Sequence, residues 1–324
     1  MRSTAGQHPR TRWPRPPRAG VGVVLVVLAG LLLACDADSS GEGVAEGSAP
    51  EEPAGAAGEA PSDEGASDDH RSWSAAEDAP SEADGEGSDE APDADEPNDP
   101  APLEGMTIAL DPGHNGANAA HPEEITRPVD AGGLEKQCNT VGAATPDGVS
   151  ESEIVFALSL RLMDRLEAQG AQVSLTREDD DGWGPCIDQR GQHAQQVGAE
   201  VLVSVHADGG PPEGHGFHVI HPGEVAGYND GLVAPSADLA RDLRDALQDA
   251  GRPPATYVGT DGLHQRADIG TLNHADVPAV MVEVGNLRHP DEAALLTDDA
   301  GQETVADALA AGIVAYLEEH QPSR

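Results

Sequence analysis

Residues 36–102 contain almost nothing large and apolar: Val44 and Trp73 stand alone in 67 residues dominated by Asp, Glu, Gly, Ala, Ser and Pro. Such a segment cannot bury enough surface to offset the chain entropy lost on folding, and its like charges extend it. The sequence therefore predicts an acidic, disordered tether. Whatever folds must come from residues 103–324, about 220 residues, enough for one domain of ordinary size. Charge narrows the function. Residues 36–100 hold 22 acidic side chains against one arginine, and residues 101–324 hold 37 against 12 bases, within a net charge of −41 for the chain. Phosphate recognition needs clustered Lys and Arg, so no nucleic-acid partner is expected.

The first residues read as an address. Five arginines and no acid precede an unbroken apolar run, residues 21–34, which ends at Leu32-Leu33-Ala34-Cys35. A basic region, a short apolar core and small residues at its end make a secretory signal, and the run is short for a membrane span. Leu32 to Cys35 resembles a bacterial lipobox. That resemblance implies a signal peptide over 1–34, lipidation of Cys35, and a mature chain outside the cytoplasmic membrane, held by acyl chains. Membrane contact is expected through this anchor alone.

From residue 106 strand and helix patterns alternate. Residues 106–111, 172–176, 201–206, 216–221 and 279–284 read as strands. Helices are expected over 152–169, 187–198, 236–250 and 301–319, the first on the spacing of Ile154, Val155, Leu158, Leu162 and Leu166 and its stop at Gly170. This alternation predicts an α/β fold, a central, mostly parallel sheet flanked by helices. Sites in such sheets lie beyond the carboxyl ends of the strands. Those ends carry Asp111-Pro112-Gly113-His114, His206 and Glu283, while Glu151 opens the first long helix. Two histidines and a carboxylate with an open fourth position suit a catalytic divalent metal, and a further carboxylate suits the general base for its water. Spacing alone does not choose zinc over another cation. Glu283 inside the apolar run AVMVEV is costly to bury without a role.

Four segments, TIALDPGH (107–114), Glu151 with Ile154, VSVHA (203–207) and VMVEVGN (280–286), resemble the zinc-dependent N-acetylmuramoyl-L-alanine amidases of the AmiC type. The resemblance spans about residues 105–320. It implies one Zn2+ per chain on His114, Glu151 and His206, with Glu283 as catalytic base. It also implies peptidoglycan as substrate, cut at the amide between N-acetylmuramic acid and L-alanine of the stem peptide. Glu153 is the runner-up ligand, set aside because Phe156 stands where the family has an aliphatic residue. Asp208 and the segment Gly285-Asn286-Leu287-Arg288-His289 depart from the family pattern. Arg266 and Asn286 are candidate substrate contacts, Arg266 facing a carboxylate either of the peptide or of the protein. His218 is a candidate to line the site. Residues 115–150 are expected to be irregular, a loop or lid beside the cleft. A zinc carboxypeptidase and a non-catalytic wall-binding lipoprotein are the rival readings.

With Cys35 lipidated, Cys138 and Cys186 remain, and two cysteines outside the cytoplasm have one possible disulfide. No wall-binding repeat is visible, and the domain is expected to act as a monomer.

Overall fold

The computed structural model describes residues 101–320. Its elements in chain order are β1 (Thr107–Pro112), α1 (Pro122–Thr126), β2 (Pro128–Asp130), β3 (Glu135–Gln137), α2 (Glu151–Ala168), β4 (Gln172–Leu175), α3 (Ile187–Val197) and β5 (Val201–Asp208), followed by β6 (His218–Pro222), α4 (Val233–Asp249), β7 (Leu263–Arg266), α5 (Gly270–Asn273), β8 (Ala279–Asn286), α6 (Pro290–Thr297) and α7 (Asp299–His320). The expected signal, Cys35 and nearly all of the tether lie outside the described residues.

Six strands form one sheet in the order β4-β1-β5-β8-β6-β7. β4, β1, β5 and β8 run parallel; β6 is antiparallel to β8 and parallel to β7. The sheet is therefore mostly parallel, as expected, with one edge pair reversed. That reversal brings the start of β6 to the carboxyl edge of β5 and β8, where ligands bind in open α/β sheets.

Helices cover both faces. Val203, Val205, Val280, Val282 and Val284 pack with α2, α4 and α7 on one side. Ala109, Leu202 and Ile220 pack with α3 and α5 on the other. α2 forms where its apolar residues recur every three to four positions, and Ile154, Val155, Leu158, Leu162 and Leu166 are all buried. Burying each such leucine contributes about 1.5–3 kcal/mol. Ser150 caps the helix by accepting the Glu153 N–H, and Gly170 ends it with φ +93°. α7 approaches α4 closely because Gly312 has no side chain; a Cβ there would lie 2.8 Å from the Leu243 Cα.

Two things were not expected. The segment after His114 is built rather than irregular, with α1 and the two-stranded hairpin β2–β3. β7 and the short helices α5 and α6 also had no clear period, because four to eight residues give too few turns or alternations to read. The Cys138–Cys186 disulfide is present and ties the end of the hairpin to the start of α3.

Candidate metal centre

β1 ends in Asp111, which accepts hydrogen bonds from Arg190 Nη1 (2.6 Å), Ser204 Oγ (2.6 Å) and Thr176 Oγ1 (2.5 Å). Burial alone would raise this carboxyl; Arg190 and the two hydroxyls outweigh it and hold it at about 2. Arg190 also donates to the carbonyls of Pro112 and His114. The buried ion pair thus fixes the turn that follows the strand. Three residues after Asp111, the chain turns through His114 in a left-handed conformation, φ +56°, uncommon outside glycine.

Three sequence-predicted side chains converge here. Glu151 Oε1 lies 3.1 Å from His114 Nε2 and 2.9 Å from His206 Nδ1. All three ligand atoms fall within 4.8 Å of one another. Glu151 comes from the first turn of α2, and its Oε2 accepts the Ala143 N–H at 2.7 Å. His114 Nδ1 is 3.0 Å from the Thr140 carbonyl, so the Nδ1–H tautomer donates there and leaves Nε2 free for a ligand. Glu153, three residues from the cap and exposed, does not join the cluster. Electrostatically the triad favours positive charge among its three ligand atoms. Burial by itself would raise Glu151, but the two imidazoles hold it well below the ordinary carboxylate range. Glu151 in turn raises His114 against burial and Arg190. A proton satisfies that demand weakly and a divalent cation fully, so two His and one Glu fit zinc.

The reach of the backbone around these groups is short. A Cβ on Gly113 would lie 2.4–2.6 Å from the His206 ring, and one on Gly142, φ +89°, would lie 2.9 Å from Glu151 Oε2 and His114 Cδ2. Sequence reading missed Thr140, Gly142 and Arg190, because each acts on a partner 9 to 79 positions away.

Glu283 stands beside the triad. On β8 it is in register with His206 on β5 and with His218 on β6, so the three project from one face in a row. Its Oε2 is buried without a partner. Burial first, then the negative charges of Glu151 and Asp208, push its carboxyl well above the ordinary range, with Arg266 opposing. His218 is buried and held at about 4, chiefly by burial, so its ring is neutral. The other candidates fall elsewhere. Arg266 is engaged by Asp268 through bonds of 2.9 and 2.7 Å, so its carboxylate partner is the protein's own. Asn286, the other expected substrate contact, is fully buried; its side chain donates to the carbonyls of Pro211 and Gly214 while its Oδ1 accepts the Arg288 N–H. It holds the loops after β5 and β8 together. A cavity of about 480 Å³ opens beside the triad, lined by His114, His206, Lys136, Thr140, Thr271 and Met281 among others.

Residues 108–315 match the N-acetylmuramoyl-L-alanine amidase family Amidase_3. The chain is 40% identical over 219 residues to the N-acetylmuramoyl-L-alanine amidase Rv3717 of Mycobacterium tuberculosis, covering 67% of this chain and 89% of that one. It is similar in structure to the amidase Ami1 of Mycobacterium smegmatis, with TM-score 0.64, 40% identity, and 67% of this chain and 99% of that chain covered. It is also similar to Ami1 of Mycobacterium abscessus, with TM-score 0.63, 41% identity, and 66% and 100% covered.

Proposed function

The chain belongs to the N-acetylmuramoyl-L-alanine amidase family, and we propose that it cleaves peptidoglycan with Glu283 acting beside a zinc ion held by His114, Glu151 and His206. The bond cut is the amide between the lactyl group of N-acetylmuramic acid and L-alanine of the stem peptide. One observation carries the assignment of roles: a single Glu151 oxygen lies within 3.1 Å of both imidazoles, and one strand away stands a carboxylate whose buried oxygen has no partner.

Zinc held by His114, Glu151 and His206 would supply Lewis acidity, bringing the pKa of a water toward about 7 and polarising a carbonyl. The chain's own residues do the rest. Thr140 fixes the His114 ring through Nδ1, and Ala143 N–H fixes the second oxygen of Glu151. Glu283 takes the proton of the attacking water on Oε2 and passes it to the departing amide nitrogen. Its raised proton affinity, caused by burial and by Glu151 and Asp208, suits a group that holds a proton between those two transfers. His218, in the same row, is neutral and so adds no positive charge beside Glu283.

The activity belongs outside the cytoplasmic membrane, where peptidoglycan lies. The basic and apolar residues up to Cys35 support export and lipid anchoring, and the acidic stretch after it supports a spacer between membrane and wall. Among the described residues no helix is long and apolar enough to cross a membrane.

The test is product analysis by mass spectrometry of muropeptides incubated with the protein, with and without chelator, beside Glu283→Gln. The expected result is free stem peptide plus a lactyl-bearing glycan, lost with chelator and restored by Zn2+. The Glu283→Gln protein is expected to keep its metal while its rate falls by roughly 10²–10⁴-fold. Release of a single terminal amino acid instead would make it a carboxypeptidase. Labelled-lipid incorporation in cells, lost with Cys35→Ala, tests the anchor.

A further inference from the structure

Cations are scarce in this domain and almost all are engaged. Among the described residues, Lys136, Arg161, Arg165, Arg177, Arg190, Arg241, Arg244, Arg252 and Arg266 each have a carboxylate within ion-pair distance. Arg127 donates to Cys186 Sγ. Arg288 is the exception: it is exposed and its side chain has neither a carboxylate nor a hydrogen-bond acceptor among the described residues. In a domain with 37 acids against 12 bases from residue 101 onward, a guanidinium left without any acceptor among the described residues is conspicuous.

Its place is equally particular. Arg288 follows β8 at the carboxyl edge of the sheet, five residues beyond Glu283. Its backbone is fixed by the Asn286 side chain, and the preceding Leu287 N–H bonds the Asp208 carbonyl. A Cβ on Gly209 would sit 3.6 Å from Arg288 Nε and 3.0 Å from the Ala143 Cβ. Ala143 in turn bonds Glu151. Residues 139–143 therefore trace a path across the site. Asn139 and Thr140 line the cavity, Gly142 lies against His114 and Glu151, and Ala143 faces Gly209 and Arg288. The metal triad stands between the cavity on one side and the free guanidinium on the other, with Ala143 and Gly209 linking Glu151 to the arginine.

We propose that Arg288 is a binding residue for a carboxylate of the stem peptide, on the leaving-group side of the scissile amide. This rests on the amidase reading. The bond cut joins a sugar to a peptide, so the two halves of the substrate must leave the metal in different directions. The cavity accepts one half and Arg288 marks the path of the other. A planar guanidinium pairs two-pronged with a carboxylate. The acidic domain around it repels anions generally, so one free arginine selects where a carboxylate can rest. Arg266 is less available, because Asp268 already pairs with its Nε and Nη2.

The test uses the zinc-loaded full chain and two muropeptides that differ in whether the stem-peptide carboxylates are free or amidated. With the free acid, Arg288→Ala is expected to raise KM by about 10–100-fold with kcat little changed, the weight of one charge-assisted pair. With the amidated substrate the same variant is expected to match the wild type, and Arg288→Lys is expected to recover part of the loss. Equal effects of Arg288→Ala on both substrates, or none on either, would overturn the proposal. A parallel arm measures binding of the free stem peptide by calorimetry, without turnover. If the wild type released no stem peptide, the amidase reading would fall. The binding arm would then decide the arginine separately: tighter binding of the free acid than of the amide, lost in Arg288→Ala, supports it, and equal binding sinks it.

Discussion

Gly113 tests whether the metal centre depends on close backbone approach. It lies between Pro112 and His114, and its φ is not in the left-handed region, so alanine costs nothing in backbone conformation. Space decides. An added Cβ would stand 2.4 Å from His206 Cε1 and 2.6 Å from both ring nitrogens, against an ordinary contact of about 3.5–4.0 Å. The ring or the turn must therefore move by about 1 Å. The ring has little freedom, because Nδ1 lies 2.9 Å from Glu151 and the His114 ring packs edge-on at 4.8 Å between centroids. The turn has little either, since Gly113 N–H bonds the Val205 carbonyl and Arg190 holds the carbonyls on both sides. Overpacking of this kind costs about 1–3 kcal/mol, which for a domain of this size lowers Tm by about 2–12 °C. Metal ligation tolerates displacements of only about 0.2 Å, so the larger effect falls on zinc. We expect Gly113→Ala to weaken zinc binding by about 100-fold, or about 2.7 kcal/mol, in competition with a coloured chelator. Amidase activity should fall in parallel and return in part at high zinc. A variant that bound zinc as tightly as the wild type and turned over normally would refute the steric argument.

Two further outcomes follow from the scaffold. Reducing the Cys138–Cys186 bond, whose cysteines are 48 positions apart, should cost about 4 kcal/mol in the chain-entropy account and lower Tm by about 8–16 °C. Thermal unfolding with and without reductant measures it, and an unchanged Tm would contradict it. The Asp111–Arg190 pair makes the fold acid-sensitive in a defined window. The folded carboxyl sits at about 2 against an ordinary 3.8, so its stabilisation is complete above about pH 4 and is lost as pH falls toward 2. That shift corresponds to about 2 kcal/mol. Carboxyl NMR titration of Asp111 with a midpoint near 3.8 would show that the pair is weaker than its geometry implies.

The sequence by itself determined the parts that depend on local order. The periods of α2 and of the β5 and β8 runs are local patterns, and burial followed them because apolar residues on one face have to meet another face. The strand-end residues His114, His206 and Glu283, and Glu151 at a helix start, were legible because parallel sheets gather such ends at one edge. What only the tertiary structure decided are relations between distant residues. A strand pattern has no direction, so the reversal of β6 and β7, and with it the seat of His218 opposite Glu283, could not be read from residues 216–221. Asn286 looked like a contact, and its role as a brace was hidden, because its partners lie on a loop more than 70 positions away. Gly113 and Gly142 look like ordinary turn glycines until the histidines and the glutamate that need the space are seen against them. Arg288 is one arginine among many in the sequence. It became distinctive only when folding gave nearly every other cation a carboxylate partner, since pairing is a property of positions in space and not of order along the chain.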